Sequence, residues 1–167
     1  MDHEKYKAAC NTLQTLVGKN SNIVEICELL DQNHGLQDYL ATNMEYTRGI
    51  SGYPPLNKAS FFDCLEVITL LIEKYDLALD ARWIVDDIYS MMSLHQAVGN
   101  NRPAAVALLL SYGADQTLGG TWQKKPFQNA LDLAQQRGHE TIVWMLNNTQ
   151  KGEVMFYSFH YTNFNCN

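Results

Sequence analysis

The residues with the strongest potential for chemistry are the five histidines and four cysteines. A histidine can serve as a general base or metal ligand, and a cysteine thiolate as a nucleophile or metal ligand. No two of these residues stand in a His-x-x-x-His or Cys-x-x-Cys arrangement, the spacings that bring two ligands to one metal ion. The spacing therefore predicts no metal site and no cofactor.

Two other patterns could bind phosphate or catalyse proton transfer. Gly119 and Gly120 lack the following Lys-Ser or Lys-Thr pair of a phosphate-binding loop, and we expect a hairpin turn there. The adjacent Asp86 and Asp87 could form a general acid and base, but on a loop tip we expect solvated charges. Cys64 is predicted to begin a buried helix, where a thiol is inert.

These observations predict a protein with no catalytic residue, hence not an enzyme. The alternative is a small enzyme with a site in the first loop, where His34 would have to meet Asp31 or Asp38 and another functional residue.

The charge balance argues against polyanionic partners. The 167 residues include 12 Lys and Arg against 18 Asp and Glu, a net charge of -6, which disfavours nucleic acid and anionic membranes. The charged N-terminus, MDHEKYKAAC, does not resemble a signal peptide, and no apolar run approaches the roughly 18 residues of a membrane helix. With the cysteines expected as reduced thiols, we predict a cytoplasmic protein without membrane insertion or a nucleic-acid partner.

An internal repeat organises the chain. The pattern Leu-x-x-Ala begins at Leu56, Leu94 and Leu131, at steps of 38 and 37 residues. Leu and Ala three apart share one helix face, and a second helix follows each time, apolar nearly all round in the first two units. The two helices of each unit are joined at Asp63, Asn101 and Gly138. These residue types tolerate the left-handed backbone that a sharp turn requires.

The repeat predicts one domain over residues 1–167. Its parts are an N-terminal capping helix pair over 1–34, repeats over 54–80, 91–116 and 126–148, and a C-terminal cap or tail over 149–167. The aromatic segment Val154 to Phe164 is expected to pack over the last helix pair, because the end of a repeat array must be capped. The alternative is a docking strand for a partner.

These units resemble the ankyrin repeat family, whose consensus opens with Thr-Pro-Leu-His-x-Ala and closes its second helix on Leu-Leu-x-x-Gly-Ala-Asp. The middle unit matches best, through Ser93, Leu94, His95, Ala97, Leu109, Leu110, Gly113, Ala114 and Asp115. The resemblance implies an all-α fold, an ankyrin-type helix-pair solenoid with long hairpin fingers and a capped C-terminus. It also implies that His95 satisfies backbone groups between neighbouring repeats.

The chain departs from the family in two respects. Its repeat is four or five residues longer than the family period of about 33, so we expect enlarged fingers at Asp80 to Ser90 and Gln116 to Pro126. Tyr75 stands where the family has a glycine after the second helix, so a regular turn is not predicted there.

The resemblance further implies that a partner binds on a concave face made of the fingers and the first helices. The predicted partner-binding residues are Lys58, Phe61, Phe62, Arg82, Trp83, Tyr89, Gln96, Asn100, Trp122, Lys124, Lys125 and Arg137. We expect Trp83, Trp122 and Phe62 as anchors, since large rigid side chains bury area at low entropic cost. The alternative is that the fingers fold on their own aromatics.

The predicted function is a monomeric, non-enzymatic protein-protein interaction module. Lys58, Lys124, Lys125 and Arg137 are expected to gather on one face, so an acidic protein partner is compatible with the sequence. On family resemblance alone, the alternative is an effector that a bacterium or virus delivers into the host cytoplasm to block or recruit a host protein.

Overall fold

Paired helices alternate with short β-hairpins along the chain. The computed structural model describes residues 3–18, 22–33, 35–36, 54–85 and 88–149. Within these ranges the helices are α1 (His3–Leu16), α2 (Ile23–Gln32), α3 (Pro55–Phe62), α4 (Leu65–Glu73), α5 (Ser93–Gly99), α6 (Pro103–Ser111), α7 (Ala130–Arg137) and α8 (Glu140–Thr149). The strands are β1 (Trp83–Val85), β2 (Tyr89–Met91), β3 (Gly120–Trp122) and β4 (Lys125–Phe127). No helix among the described residues is both long and apolar enough to cross a membrane.

Several predictions fall on other parts of the chain. The C-terminal cap or tail beyond residue 149, the first loop with His34 and Asp38, and the pair Asp86 and Asp87 lie outside the described residues.

The four strands form one antiparallel sheet in the order β1-β2-β3-β4. Each hairpin pairs internally, and the pair Ser90–Thr121 joins the first hairpin to the second. The prediction of an all-α helix-pair solenoid is therefore wrong, and the fold is a mixed helix-sheet one. The physical reason is that the repeat landmarks lie on the helices, whereas the residues that lengthen each unit form strands and pair with those of the neighbouring unit.

The predicted hairpin turn at Gly119 and Gly120 is also wrong. The turn of the second hairpin lies at Gln123 and Lys124, whose φ angles are 50° and 67°. A Cβ on Gly120 would collide with the carbonyl oxygen of Ser90, and one on Gly119 would lie 2.7 Å from the carbonyl oxygens of Phe127 and Gln128, at the end of β4. The two glycines thus permit close approach between backbones rather than a reversal of the chain.

The helices lie in two rows. In the first row α3 packs between α1 and α5, and α5 packs in turn on α7. In the second row α6 packs between α4 and α8. Ala59, Ala97 and Ala134 are all fully buried, as predicted from their small size at helix contacts.

The left-handed turns inside the helix pairs are confirmed. Asp63, Asn101 and Gly138 have φ angles of 62°, 56° and 70°. Asp63 has a second role, because its Oδ1 accepts a hydrogen bond of 2.9 Å from the backbone N–H of Ala105 in the first turn of α6. One carboxylate therefore both completes a turn and caps a helix of the next pair.

The turn after α4 is irregular at Tyr75. The left-handed residue there is the next one, Asp76, with a φ of 50°, and Leu77 N–H bonds the carbonyl oxygen of Leu71. The Tyr75 hydroxyl donates to Asp31 Oδ1 at 2.9 Å, and the Lys74 ammonium lies 2.9 Å from Asp31 Oδ2. The tyrosine in place of glycine thus ties the N-terminal helix pair to the next one.

The turn at Asp63 provides a stability test. We expect Asp63→Val to lower the free energy of unfolding by about 2 to 3 kcal/mol, because a β-branched residue is strained at positive φ and cannot cap α6. Asp63→Asn should cost far less, since asparagine tolerates this backbone and keeps an acceptor oxygen. Urea denaturation of the three proteins measures the difference, and equal stability of the two variants would contradict the double role.

Candidate functional site

His95 lies in the first turn of α5 and is 0% exposed. Its Nδ1 accepts a hydrogen bond from the Met92 backbone N–H at 3.3 Å, so Nε2 carries the proton and donates to the Leu118 carbonyl oxygen at 3.0 Å. Burial lowers the pKa of this imidazole to about 4. The expectation that His95 satisfies backbone groups between neighbouring units is confirmed, and the ring is held neutral with both nitrogens engaged.

The other candidates for chemistry also have structural contacts. The Nε2 of His139 lies 3.3 Å from the carbonyl oxygen of Gly99 in the preceding unit. Cys64 is half-buried at the N-terminus of α4, and its thiol donates to the Gly18 carbonyl oxygen at 2.8 Å. No group of three or more His, Cys, Asp or Glu side chains within the described residues could hold a metal ion.

The cysteines differ from expectation. Cys10 is a buried thiol, but Cys27 is disulfide-bonded. The prediction that all four cysteines are reduced is therefore wrong for Cys27, and the cysteines no longer support a reducing compartment.

Three aromatic rings of the candidate site form a continuous cluster across the sheet. Trp83 on β1 stacks on Tyr89 of β2 with ring centroids 5.5 Å apart, and Tyr89 meets Trp122 of β3 edge-to-face at 6.1 Å. Trp83 is only 6% exposed, so it offers little area to a partner. Its environment agrees with the alternative that the fingers fold on their own aromatics.

Trp122 is half-buried, and its indole ring contacts residues of two helices. A Cβ on Gly99, in the last turn of α5, would collide with the six-membered ring of Trp122. The Arg137 guanidinium carbon, at the end of α7, lies 5.0 Å from the Trp122 ring centre, a cation–π geometry. The absence of a side chain at Gly99 thus leaves room for the Trp122 ring.

Several polar members of the predicted site are used inside the protein. Gln96 is 1% exposed, and its backbone carbonyl oxygen accepts a 2.8 Å hydrogen bond from the Asn100 amide. The Lys58 ammonium donates to the Gln14 carbonyl oxygen of α1, and burial lowers its pKa. Arg82 Nη1 donates to the Ser90 hydroxyl and, at 3.0 Å, to the Gly119 carbonyl oxygen. This link between the two hairpins was not foreseen from the sequence.

The two phenylalanines of α3 are half-buried and contact each other. Phe61 and Phe62 lie edge-to-face with ring centroids 4.9 Å apart. The backbone of Phe61 also accepts a 2.9 Å hydrogen bond from Arg102 Nε. These rings therefore have structural partners while keeping part of their surface exposed.

The remaining predicted residues are exposed and lie around Trp122. Lys124 is in the hairpin turn, Lys125 is the cross-strand partner of Trp122, and Arg137 covers the indole ring. We call these four residues, Trp122, Lys124, Lys125 and Arg137, the Trp122 surface. Lys125 and Arg137 thus each adjoin Trp122, with Lys124 next to Lys125 in the turn, whereas the ammonium of Lys58, predicted on the same face, is bonded to α1 instead.

The ankyrin resemblance gains no independent support from comparisons with known proteins. The sequence matches no protein-family model and no curated protein. The resemblance stays a prediction carried by the residues quoted for it.

The buried His95 predicts a loss of stability in acid. Unfolding raises the pKa of its imidazole from about 4 to the ordinary value of 6.5, so the unfolded chain binds more protons between these values. The neutral ring makes its full contribution to the free energy of unfolding above about pH 6.5. That contribution falls towards pH 4, by up to about 3 kcal/mol. Urea denaturation across this pH range should show that the free energy of unfolding of the wild type declines as the pH falls. The decline should be much shallower in His95→Asn.

His139→Gln is the matched control for this experiment and should keep the wild-type decline. An undiminished decline in His95→Asn would show that another group is responsible.

The tryptophans allow a paired test of burial. We expect Trp83→Ala to lower the free energy of unfolding by about 3 to 5 kcal/mol, because it leaves a cavity at the buried end of the aromatic cluster. Trp144, on α8, is 68% exposed, and Trp144→Ala should change stability by no more than about 0.5 kcal/mol. Thermal unfolding followed by circular dichroism compares the two, and similar losses would contradict the structural role of Trp83.

Proposed function

We propose that this chain is a non-enzymatic protein-binding module, related to ankyrin repeats, that engages its partner through the Trp122 surface. The observation that carries the proposal is the indole of Trp122, fixed against Gly99 and covered by the exposed Arg137. Tryptophan and arginine are the residue types that most often dominate the energy of protein interfaces.

The rigidity of this surface supports a binding role. Trp122 is held by the close approach to Gly99 and the edge contact with Tyr89, so its ring is already ordered before a partner arrives. A side chain ordered in advance loses little conformational entropy on binding, and a larger share of its contact energy remains as affinity.

The contacts of the histidines support a non-enzymatic role. A general base must have a nitrogen available for the substrate, whereas His95 uses both ring nitrogens on backbone groups. His139 likewise contacts a backbone carbonyl. We therefore favour binding over catalysis as the role of this chain.

A capture experiment tests the proposal. The immobilised wild-type chain and Trp122→Leu are compared for the proteins they retain from a cell extract, and the affinity of a retained protein is then measured in purified form. We expect Trp122→Leu to weaken that affinity by about tenfold or more, because an interface anchor is lost. Trp144→Leu is the control, because it removes an exposed tryptophan from α8, and it should bind as the wild type does.

A second measurement does not depend on a variant. In the isotope-labelled wild-type chain, the indole N–H resonance of Trp122 should shift when the purified partner is added. An unshifted Trp122 resonance in a saturated complex, or equal affinity of Trp122→Leu and wild type, would refute this site.

A further inference from the structure

Four of the cationic side chains that the structure describes are engaged within the protein. Lys58 and Arg102 donate to backbone carbonyl oxygens of Gln14 and Phe61. Lys74 pairs with Asp31 at 2.9 Å. Arg82 joins the two hairpins, as described above. These cations have structural partners and are poorly placed to meet an incoming anion.

The other three described cationic side chains all belong to the Trp122 surface. Lys124, Lys125 and Arg137 are exposed, and within the described ranges none of them lies in an ion pair. Their positions follow from the turn at Lys124, the register that pairs Trp122 with Lys125, and the cation–π contact of Arg137. Among the described cationic side chains, those with neither an ion pair nor a hydrogen bond inside the protein therefore adjoin one tryptophan.

This concentration is unusual because the chain as a whole is acidic, with a net charge of -6. Lys124 and Lys125 are adjacent in the chain and Arg137 contacts the ring of Trp122, which pairs with Lys125, so an anion bound beside Trp122 offsets the repulsion between these like charges. The overall negative charge opposes a long polyanion such as nucleic acid, but a short acidic segment meets mainly the local potential.

The cation–π contact of Arg137 leaves its hydrogen-bond donors available. A guanidinium that lies over an aromatic ring uses its face, whereas its N–H groups point outward in its own plane. Those groups match the two oxygens of a carboxylate and can bind it through two parallel hydrogen bonds. Trp122 also provides apolar area beside them.

We infer that the Trp122 surface binds an acidic segment of the partner protein, with one carboxylate on Arg137 and a neighbouring carboxylate between Lys124 and Lys125. The inference rests on the proposed function and names the chemistry of its partner. Side chains on one side of an extended segment recur at every second residue, so alternating acidic residues suit this surface.

The test uses a fluorescein-labelled peptide in which Glu and Asp alternate with small polar residues, together with its Gln and Asn counterpart. Fluorescence anisotropy should show binding of the acidic peptide alone. Lys125→Gln and Arg137→Gln should each weaken it by about fivefold, as expected for an exposed ion pair. Lys74→Gln is the matched control: it makes the same change in net charge away from the Trp122 surface, and should bind as the wild type does.

Three results would overturn the inference. The first is that the acidic peptide does not bind. The second is that Lys74→Gln loses as much affinity as Lys125→Gln and Arg137→Gln do. The third is that a single-stranded oligonucleotide of the same charge binds as tightly as the acidic peptide. The last result would indicate a general polyanion surface.

Variants separate this inference from the proposed function. If a captured partner binds Lys125→Gln and Arg137→Gln as it binds the wild type but does not bind Trp122→Leu, the proposed function stands and the acidic segment is refuted. If the acidic peptide binds but the captured partner binds Trp122→Leu as tightly as the wild type, the proposed function is refuted and the surface is an anion site only.

Discussion

The contact between the two hairpins is the constraint on which the rest of the molecule depends. Ser90 pairs with Thr121, and this pairing is possible because Gly120 carries no side chain towards the Ser90 carbonyl oxygen. Arg82 reinforces the contact from one side, and Lys124 N–H donates to the Ile88 carbonyl oxygen at 2.9 Å on the other. The edge-to-face contact between Tyr89 and Trp122 exists only when the hairpins are aligned in this way, so the geometry of the surface follows from backbone packing.

Polar groups connect the helices to this sheet. His95 is fixed at the start of α5 and reaches the loop before β3, while His139 reaches back from the start of α8 to the end of α5. Asp63 acts in the same way between the first helix pair and the second. Each contact satisfies a partly buried backbone group of the neighbouring segment, which couples the units more specifically than apolar packing does.

The sequence predicted those features that depend on nearby residues. The buried alanines, such as Ala97, and the left-handed turns, such as Asn101, follow from side-chain size and local backbone preference. The sheet was missed because its strands are only three residues long and pair between units. The two glycines at the start of β3 were misinterpreted because the groups they accommodate, such as the Ser90 carbonyl oxygen, are not their neighbours in sequence. Burial of Trp83 likewise depends on a neighbour in the next strand, which composition cannot specify.

Pro126 makes one edge of the sheet chemically different from the other. It lies in β4, at one edge of the sheet, where it pairs with Thr121. Proline has no N–H to offer a neighbouring strand, and the Pro126 carbonyl oxygen already accepts a 3.2 Å hydrogen bond from the Gln136 amide. That edge is therefore a poor template for intermolecular strand pairing, which protects against edge-to-edge aggregation. β1, at the other edge, contains no proline, so the two edges of the sheet differ in their capacity to accept an added strand.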